Sequence, residues 1–263
     1  MKVELLVSAL NQDPKELAEK MHIASDAVII NQCDRKEQEE FLRLGRRIRC
    51  FCFAERGVGR SRNHAIEKAE GDICLFADED ICYYEGYEQA ILGAFAAHPQ
   101  ADMLLFNVQA APGRETYHIE SFGRVHWYNC GRYGAVSFAL RRQVFKKSGV
   151  RFSLLFGGGA KYSNGEDSLF IQELLRRGCK IYRVPVDIGR EIERSSTWFQ
   201  GYNDKFFFDR GVLYAFLYGP FADLMAWRFL LAHKKVLCKE KSVKEAHMLM
   251  KRGIKEGRKE KKA

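Results

Sequence analysis

Three short stretches of the chain carry residue types suited to chemistry. The first is Asp78-Glu79-Asp80, three carboxylates that follow directly on the apolar run Ile73 to Ala77. Crowding that much negative charge is unfavourable unless water or a cation neutralises it. A hard divalent cation that keeps only one or two protein carboxylates, with phosphate oxygens and water completing its shell, is the natural neutraliser; a solvated acidic turn is the alternative. The second stretch, Glu55 to Asn63, combines two glycines, three arginines and a helix start. Backbone N–H groups, a helix dipole and guanidinium forks all favour a phosphate there. The stretch lacks the Gly-Lys-Ser/Thr ending of a Walker loop, and a surface turn is its plain alternative. The third is Glu166-Asp167, an acidic pair that follows Gly157-Gly158-Gly159 and opens an apolar periodic run. Such a pair suits a helix N-terminus whether or not it does chemistry.

The elements that must position these groups read as alternating strands and helices. Val3 to Leu10, Ala27 to Asn31, Ile48 to Phe53 and Ile73 to Ala77 are short apolar or β-rich runs, each followed by turn or helical signals. That alternation predicts βαβ units around a mainly parallel sheet. Pro14 suits a helix first turn, and Ser61 reads as the cap of a helix running to Ala69 with Gly71 just past its end. Tyr87, Ala90, Ile91, Ala94 and Phe95 recur at helical spacing, so a helix follows the acidic turn. Met103 to Leu140 is strand-like but irregular. Phe170, Ile171, Leu174 and Leu175 mark a helix ending at Gly178, with a strand over Lys180 to Val184. In this architecture the carboxylates lie at the carboxyl edge of the sheet, where open α/β folds bind ligands.

Composition narrows the class. With 46% hydrophobic and 29% charged residues, the 263-residue chain is an ordinary globular one, long enough for a sizeable α/β domain. The formal charge of +9 suggests nucleic acid until its distribution is examined: Lys234 to Ala263 holds twelve Lys/Arg against four Glu. The rest is nearly neutral, so a nucleic-acid module reading the basic tail remains only as an alternative, and no nucleic-acid partner is expected. The eight cysteines are scattered and contain no CxxC pair, which fits reduced thiols in the cytoplasm. The N-terminal apolar run is short and interrupted by Glu4, so it reads as a first strand and not a signal peptide.

After Trp198 the chain becomes strongly apolar and aromatic. Pro220, Asp223 and Arg228 interrupt Gly211 to Ala232, which predicts two short amphipathic helices over one membrane span. Apolar helices followed by a basic tail fit a protein lying on an anionic leaflet. Helices packed on the α/β domain, with a solvated Lys/Glu tail, are the alternative. The division expected is therefore residues 1–200 as one domain and residues 201–263 as amphipathic helices and basic tail.

Taken in order, these stretches resemble glycosyltransferase family 2, the inverting enzymes of the GT-A fold. The resemblance lies in a first strand ending at Ser8-Ala9-Leu10-Asn11, a loop ending Arg62-Asn63, the DxD motif Asp78-Glu79-Asp80, and the pair Glu166-Asp167 before a helix. It covers roughly residues 1–200. Ser195 to Tyr202 further resembles family members that build bacterial surface polysaccharides. The resemblance implies a Rossmann-like GT-A fold and transfer of a sugar from a nucleotide-sugar donor, most simply a UDP-sugar, to a hydroxyl of a saccharide or lipid-linked acceptor.

It also implies residue roles. Asp80 and Asp78 would hold Mn²⁺ or Mg²⁺. Ser8, Asn31, Asp34, Arg62, Asp78 and Glu79 would face the nucleotide sugar. Asp167, with Glu166 beside it, would act as general base, since inversion needs a carboxylate apart from the metal site. Gly158, Lys161 and Trp198 are expected on the acceptor side. Ala9 and Leu10 replace the hydroxyl and aromatic residues common in the first loop, and Asn31-Gln32-Cys33-Asp34 replaces paired aspartates, so uracil recognition is shared among Asn31, Gln32 and Asp34 without assignment to one. A nucleotidyltransferase is the rival enzyme class, but it would carry a basic glycine-rich loop after the first strand. The location expected is the cytoplasm, with peripheral attachment to the inner face of the cell membrane if the C-terminal helices lie on the leaflet.

Overall fold

The computed structural model describes residues 1–112, 117–192 and 201–262. Strands β1 (Val3–Leu10), β2 (Asp26–Gln32), β3 (Gln38–Arg43), β4 (Arg46–Phe53), β5 (Ile73–Asp78), β6 (Ile81–Tyr83), β7 (Met103–Gln109), β8 (Gly123–Arg124), β9 (Phe138–Arg141) and β10 (Ile181–Glu191) form one mixed sheet. The order is β3-β4-β2-β1-β5-β9-β7-β10-β6, with β8 pairing β10. The long central pairings of β1 with β2 and β5, of β2 with β4 and of β7 with β10 are parallel, whereas β9 runs antiparallel between β5 and β7.

Helices cover both faces because the strand residues alternate inward on each side. Leu5 and Val7 of β1 enter one core with α1 (Pro14–Lys20) and α3 (Tyr87–Ala97), while Leu6 enters the other with Ala65 and Ile66 of α2 (Val58–Lys68) and Phe170, Ile171 and Leu174 of α5 (Glu166–Arg176). Helix α4 (Arg142–Ser148) closes that second layer through Val144 and Phe145. Glu4, the charge that interrupts β1, is buried but satisfied by Arg49 at 2.7 Å and by the N–H groups of Glu70 and Gly71. An ion pair with its remaining lone pairs filled is the form in which a buried carboxylate is tolerated.

Two local readings change. Helix α2 starts after Gly57, whose φ of 123° suits glycine. Ser61 therefore lies inside the helix, and its hydroxyl donates to Ser8 Oγ at 2.9 Å and caps nothing. The strand expected over Lys180 to Val184 continues past Pro185 to Glu191, with register shifts that absorb the proline.

The C-terminal part forms a third apolar cluster. Helix α6 (Asp204–Tyr218) ends at Gly219-Pro220, and α7 (Ala222–Leu237) follows, the two-helix arrangement the proline predicts. The basic tail folds as α8 (Val243–Glu260), started by a full capping box between Ser242 and Glu245. Its buried residues Ala246, Met250, Gly253, Ile254 and Gly257 face α6. At the crossing, Gly211 lies against the backbone of Met250 and Gly253 against that of Phe208, so close that no Cβ would fit at either glycine. Phe156 and Tyr162 tie the cluster to the loop that precedes α5. Among the described residues no helix is long and apolar enough to cross a membrane.

Candidate active site

The carboxyl ends of β1 and β5 meet in register, Ser8 beside Asp78. Asp78 is the last residue of β5, and the turn after it is fastened to β1 by the Leu10 N–H, which donates to Glu79 Oε2 at 2.7 Å. Two glycine loops pack against this edge. Val58 N–H donates to the Gly158 carbonyl at 3.0 Å, and Gln32 Nε2 donates to the Gly57 carbonyl at 3.2 Å. A Cβ on Gly159 would lie 3.1 Å from Gly57 Cα, so the loops approach as only glycine permits.

Arg62 of α2 is the centre of the charge arrangement. It is 4% exposed, with Nη1 2.7 Å from Asp167 Oδ1 and 3.1 Å from Glu166 Oε1, and Nη2 3.2 Å from Asp78 Oδ1. Its guanidinium also lies 5.2 Å from the Phe152 ring centroid. Carboxylates from β5 and from the start of α5 are thereby held together by one buried cation. Loss of solvent and the neighbouring Glu166 push the Asp167 carboxyl up to about 7, against the downward pull of Arg62. A carboxyl so placed exchanges its proton near neutrality, which is what a general base requires.

These groups line one cavity of about 1080 Å³, together with Asp80, Ser8, Gln32, Gly158 and Tyr133. Its outer wall comes from α6 and α7. Among the described residues no three His, Cys, Asp or Glu side chains form a self-sufficient metal cage. Asp78 and Asp80 bring two hard oxygen donors to the cavity, the kind of partial shell that Mg²⁺ or Mn²⁺ completes with phosphate and water.

The structure brings together Ser8, Arg62, Asp78, Glu79, Asp80, Gly158, Glu166 and Asp167. It places three others elsewhere. Asn31 is buried behind the edge, its side chain closing on the Gln12 backbone N–H and carbonyl. Asp34 is 97% exposed and pairs with Arg56 at 3.2 Å, and Lys161 pairs with Glu260 of α8. Trp198 lies outside the described residues. Arg210, Phe229 and His233 line the cavity and were not expected from the sequence; the available signal was a charged Asp209-Arg210 pair inside an otherwise aromatic helix.

A family model described as Glycosyl transferase family 2 matches residues 4–153. The chain belongs to glycosyltransferase family 2. The family 2 match spans Arg62 and the Asp78-Glu79-Asp80 turn but ends before Glu166-Asp167 and before α6 to α8. Among solved structures, Staphylococcus aureus TarS 1-349 in complex with UDP-GlcNAc is similar at TM-score 0.61 and 16% identity, covering 89% of this chain and 73% of that one. TarS 1-349 in complex with UDP aligns at TM-score 0.57 and 16% identity, over 89% and 72%. At such identities the likeness is one of fold, the GT-A fold expected of family 2. No curated protein sequence matches the chain.

Proposed function

We propose that this family 2 glycosyltransferase moves a sugar, with inversion, from a UDP-sugar to an acceptor hydroxyl, in the synthesis of a bacterial cell-surface polysaccharide or glycan. The observation that carries the reading is the convergence of Asp78, Asp80, Glu166 and Asp167 around Arg62 in one cavity at the carboxyl ends of β1 and β5. The TarS structures, whose similar fold holds UDP-GlcNAc or UDP, support a UDP-sugar donor.

In this reading the loop at Gly57 and the adjoining α2 face the diphosphate, with Ser8 and Gln32 at the nucleotide end. Asp80, and Asp78 directly or through water, would hold a divalent cation, which supplies neutralisation of the leaving diphosphate when bound. Asp167 accepts the acceptor hydroxyl proton as the new C1–O bond forms and the C1–O bond to the diphosphate breaks; UDP departs with that electron pair. Arg62 positions Asp167 and limits the cost of its charge. Glu166 is the second candidate for the base.

Residues 1–200 act as the catalytic domain, and α6 and α7 of residues 201–263 supply its outer wall. The exposed apolar residues Phe221, Leu224, Leu231 and Met248, beside the basic outer face of α8, support peripheral attachment to an anionic membrane. Eight unpaired cysteines support a location on the reducing, cytoplasmic side.

A thermal-shift screen of nucleotide sugars with and without Mn²⁺ tests the donor assignment, because a ligand that binds only the folded state must raise its stability. UDP-sugars should raise Tm in a Mn²⁺-dependent way. No response to any nucleotide sugar would remove the reading.

A further inference from the structure

The last turn of α8 is fixed to the rest of the molecule, where a terminal segment usually frays. Lys261 Nζ donates to the Ala215 and Phe216 carbonyls near the end of α6, at 3.2 and 3.1 Å. Glu260, the final residue of α8, takes two donors from one loop: Lys161 Nζ and the Tyr162 hydroxyl, the latter at 3.0 Å. An ion pair to a solvated lysine holds little by itself. Tyr162 adds to it, because its ring is buried against Phe156 and Glu260 accepts from its hydroxyl.

The same loop is closed on itself and reaches the active site. Gly157 N–H donates to the Tyr162 carbonyl at 2.9 Å, and Tyr162 N–H donates to that of Leu155 at 3.0 Å. A hold on Tyr162 is therefore a hold on the glycine turn. On the far side of that turn Gly158 accepts the Val58 N–H, and Gly159 lies against Gly57. A Cβ on Gly157 would lie 2.8 Å from both Val58 Cγ1 and Glu166 Cδ. Val58 is the first residue of α2, so its N–H has no acceptor within its own helix. The Gly158 carbonyl satisfies it, and this bond fixes the Gly57 turn to the loop that Glu260 holds.

We propose that Glu260 is a positioning residue of the donor site: through Lys161 and Tyr162 it sets the loop from Gly157 to Gly159, which in turn sets the Gly57 turn and the start of α2. This rests on the reading that the Gly57 loop faces the donor diphosphate. Lys161, Tyr162 and Glu260 all lie beyond the residues that the family model matches. The clamp is therefore a feature of this chain's C-terminal part, acting on a loop inside the matched part.

Residue-resolved amide exchange and UDP titration with Mn²⁺, both on the full-length protein, test this. Glu260→Ala should speed exchange at the Val58 amide and weaken UDP by about 2- to 30-fold, the range usual for residues that act on a site through packed neighbours. Tyr162→Phe keeps the ring and removes the hydroxyl, and should move both readouts in the same direction by less. Glu256→Ala is the control: Glu256 pairs with Lys259 of the same helix, so its loss should alter neither readout. Unchanged exchange at Val58 in Glu260→Ala would overturn the proposal. So would faster exchange at Val58 with UDP affinity unchanged. Acceleration spread evenly over the whole chain would also overturn it, since the effect would then be on general stability. If UDP fails to bind wild type, the donor reading fails; exchange at Val58 still decides whether Glu260 sets the loop.

Discussion

Arg62 Nη1 lies 2.7 Å from Asp167 Oδ1, while the other amino group of the same guanidinium lies 3.2 Å from Asp78. The helix after the glycine loop thus joins the end of β5 to the start of α5. Arg62→Ala would leave Asp78, Glu166 and Asp167 without their shared counter-charge. We expect a loss of about 3–5 kcal/mol in urea unfolding, the usual result of removing one partner from a buried ionic group. A change below 1 kcal/mol would mean that water solvates these carboxylates.

Asp167→Asn should keep metal-dependent donor affinity while kcat falls by about two to four orders of magnitude. The acid limb of kcat/KM in wild type should lie near the raised carboxyl at about 7. Glu166→Gln is the necessary comparison. Near-normal turnover in Asp167→Asn with collapse in Glu166→Gln would move the role to the neighbour, and near-normal turnover in both would remove the pair from the mechanism.

The same shift has a stability consequence in the ligand-free protein. A carboxyl raised in the folded state holds its proton more tightly than in the unfolded chain. Its favourable contribution is full below the unfolded value near 4 and is lost as pH rises to about 7. Thermal melts between pH 4 and pH 7.5 should therefore show Asp167→Asn gaining on wild type as pH increases. A pH-independent difference would contradict the raised carboxyl.

If a UDP-sugar is the donor, as proposed, Asp80→Ala should abolish the Mn²⁺-dependent part of its thermal shift. Full transferase activity in EDTA would count decisively against a metal at this turn.

Glycine substitutions should act in opposite directions at two helical sites. Gly253→Val meets the backbone of α6 and should cost about 1–3 kcal/mol by overpacking, read from urea midpoints. Gly93, exposed on α3 with nothing near a would-be Cβ, should gain about 0.4–1 kcal/mol on Gly93→Ala.

The central strands and the acidic turn were legible because continuous apolar runs mark buried strands and three adjacent carboxylates are conspicuous. β3 was not, since its sequence QEEFLR is mostly polar and exposed. It is a strand because the Leu44-Gly45 turn folds it back on β4, information held in pairing and not in its own composition. The short β6 is specified by β10, a hundred residues later. Each of Arg62, Asp78, Glu166 and Asp167 could be singled out from the sequence, but their closure on one guanidinium depends on how α2 and α5 pack. The crossing of α6 and α8 left still less trace, because three glycines specify it by what they lack.

That crossing makes α6 and α8 mechanically one body. At Gly211 and Gly253 backbone meets backbone with no Cβ between, which leaves little room for α8 to slide without α6. One end of the pair is a basic outer surface; the other end holds Ser163 through Asp209, three residues before Glu166. The tail helix and the loop that opens α5 are thereby tied to the same element, α6.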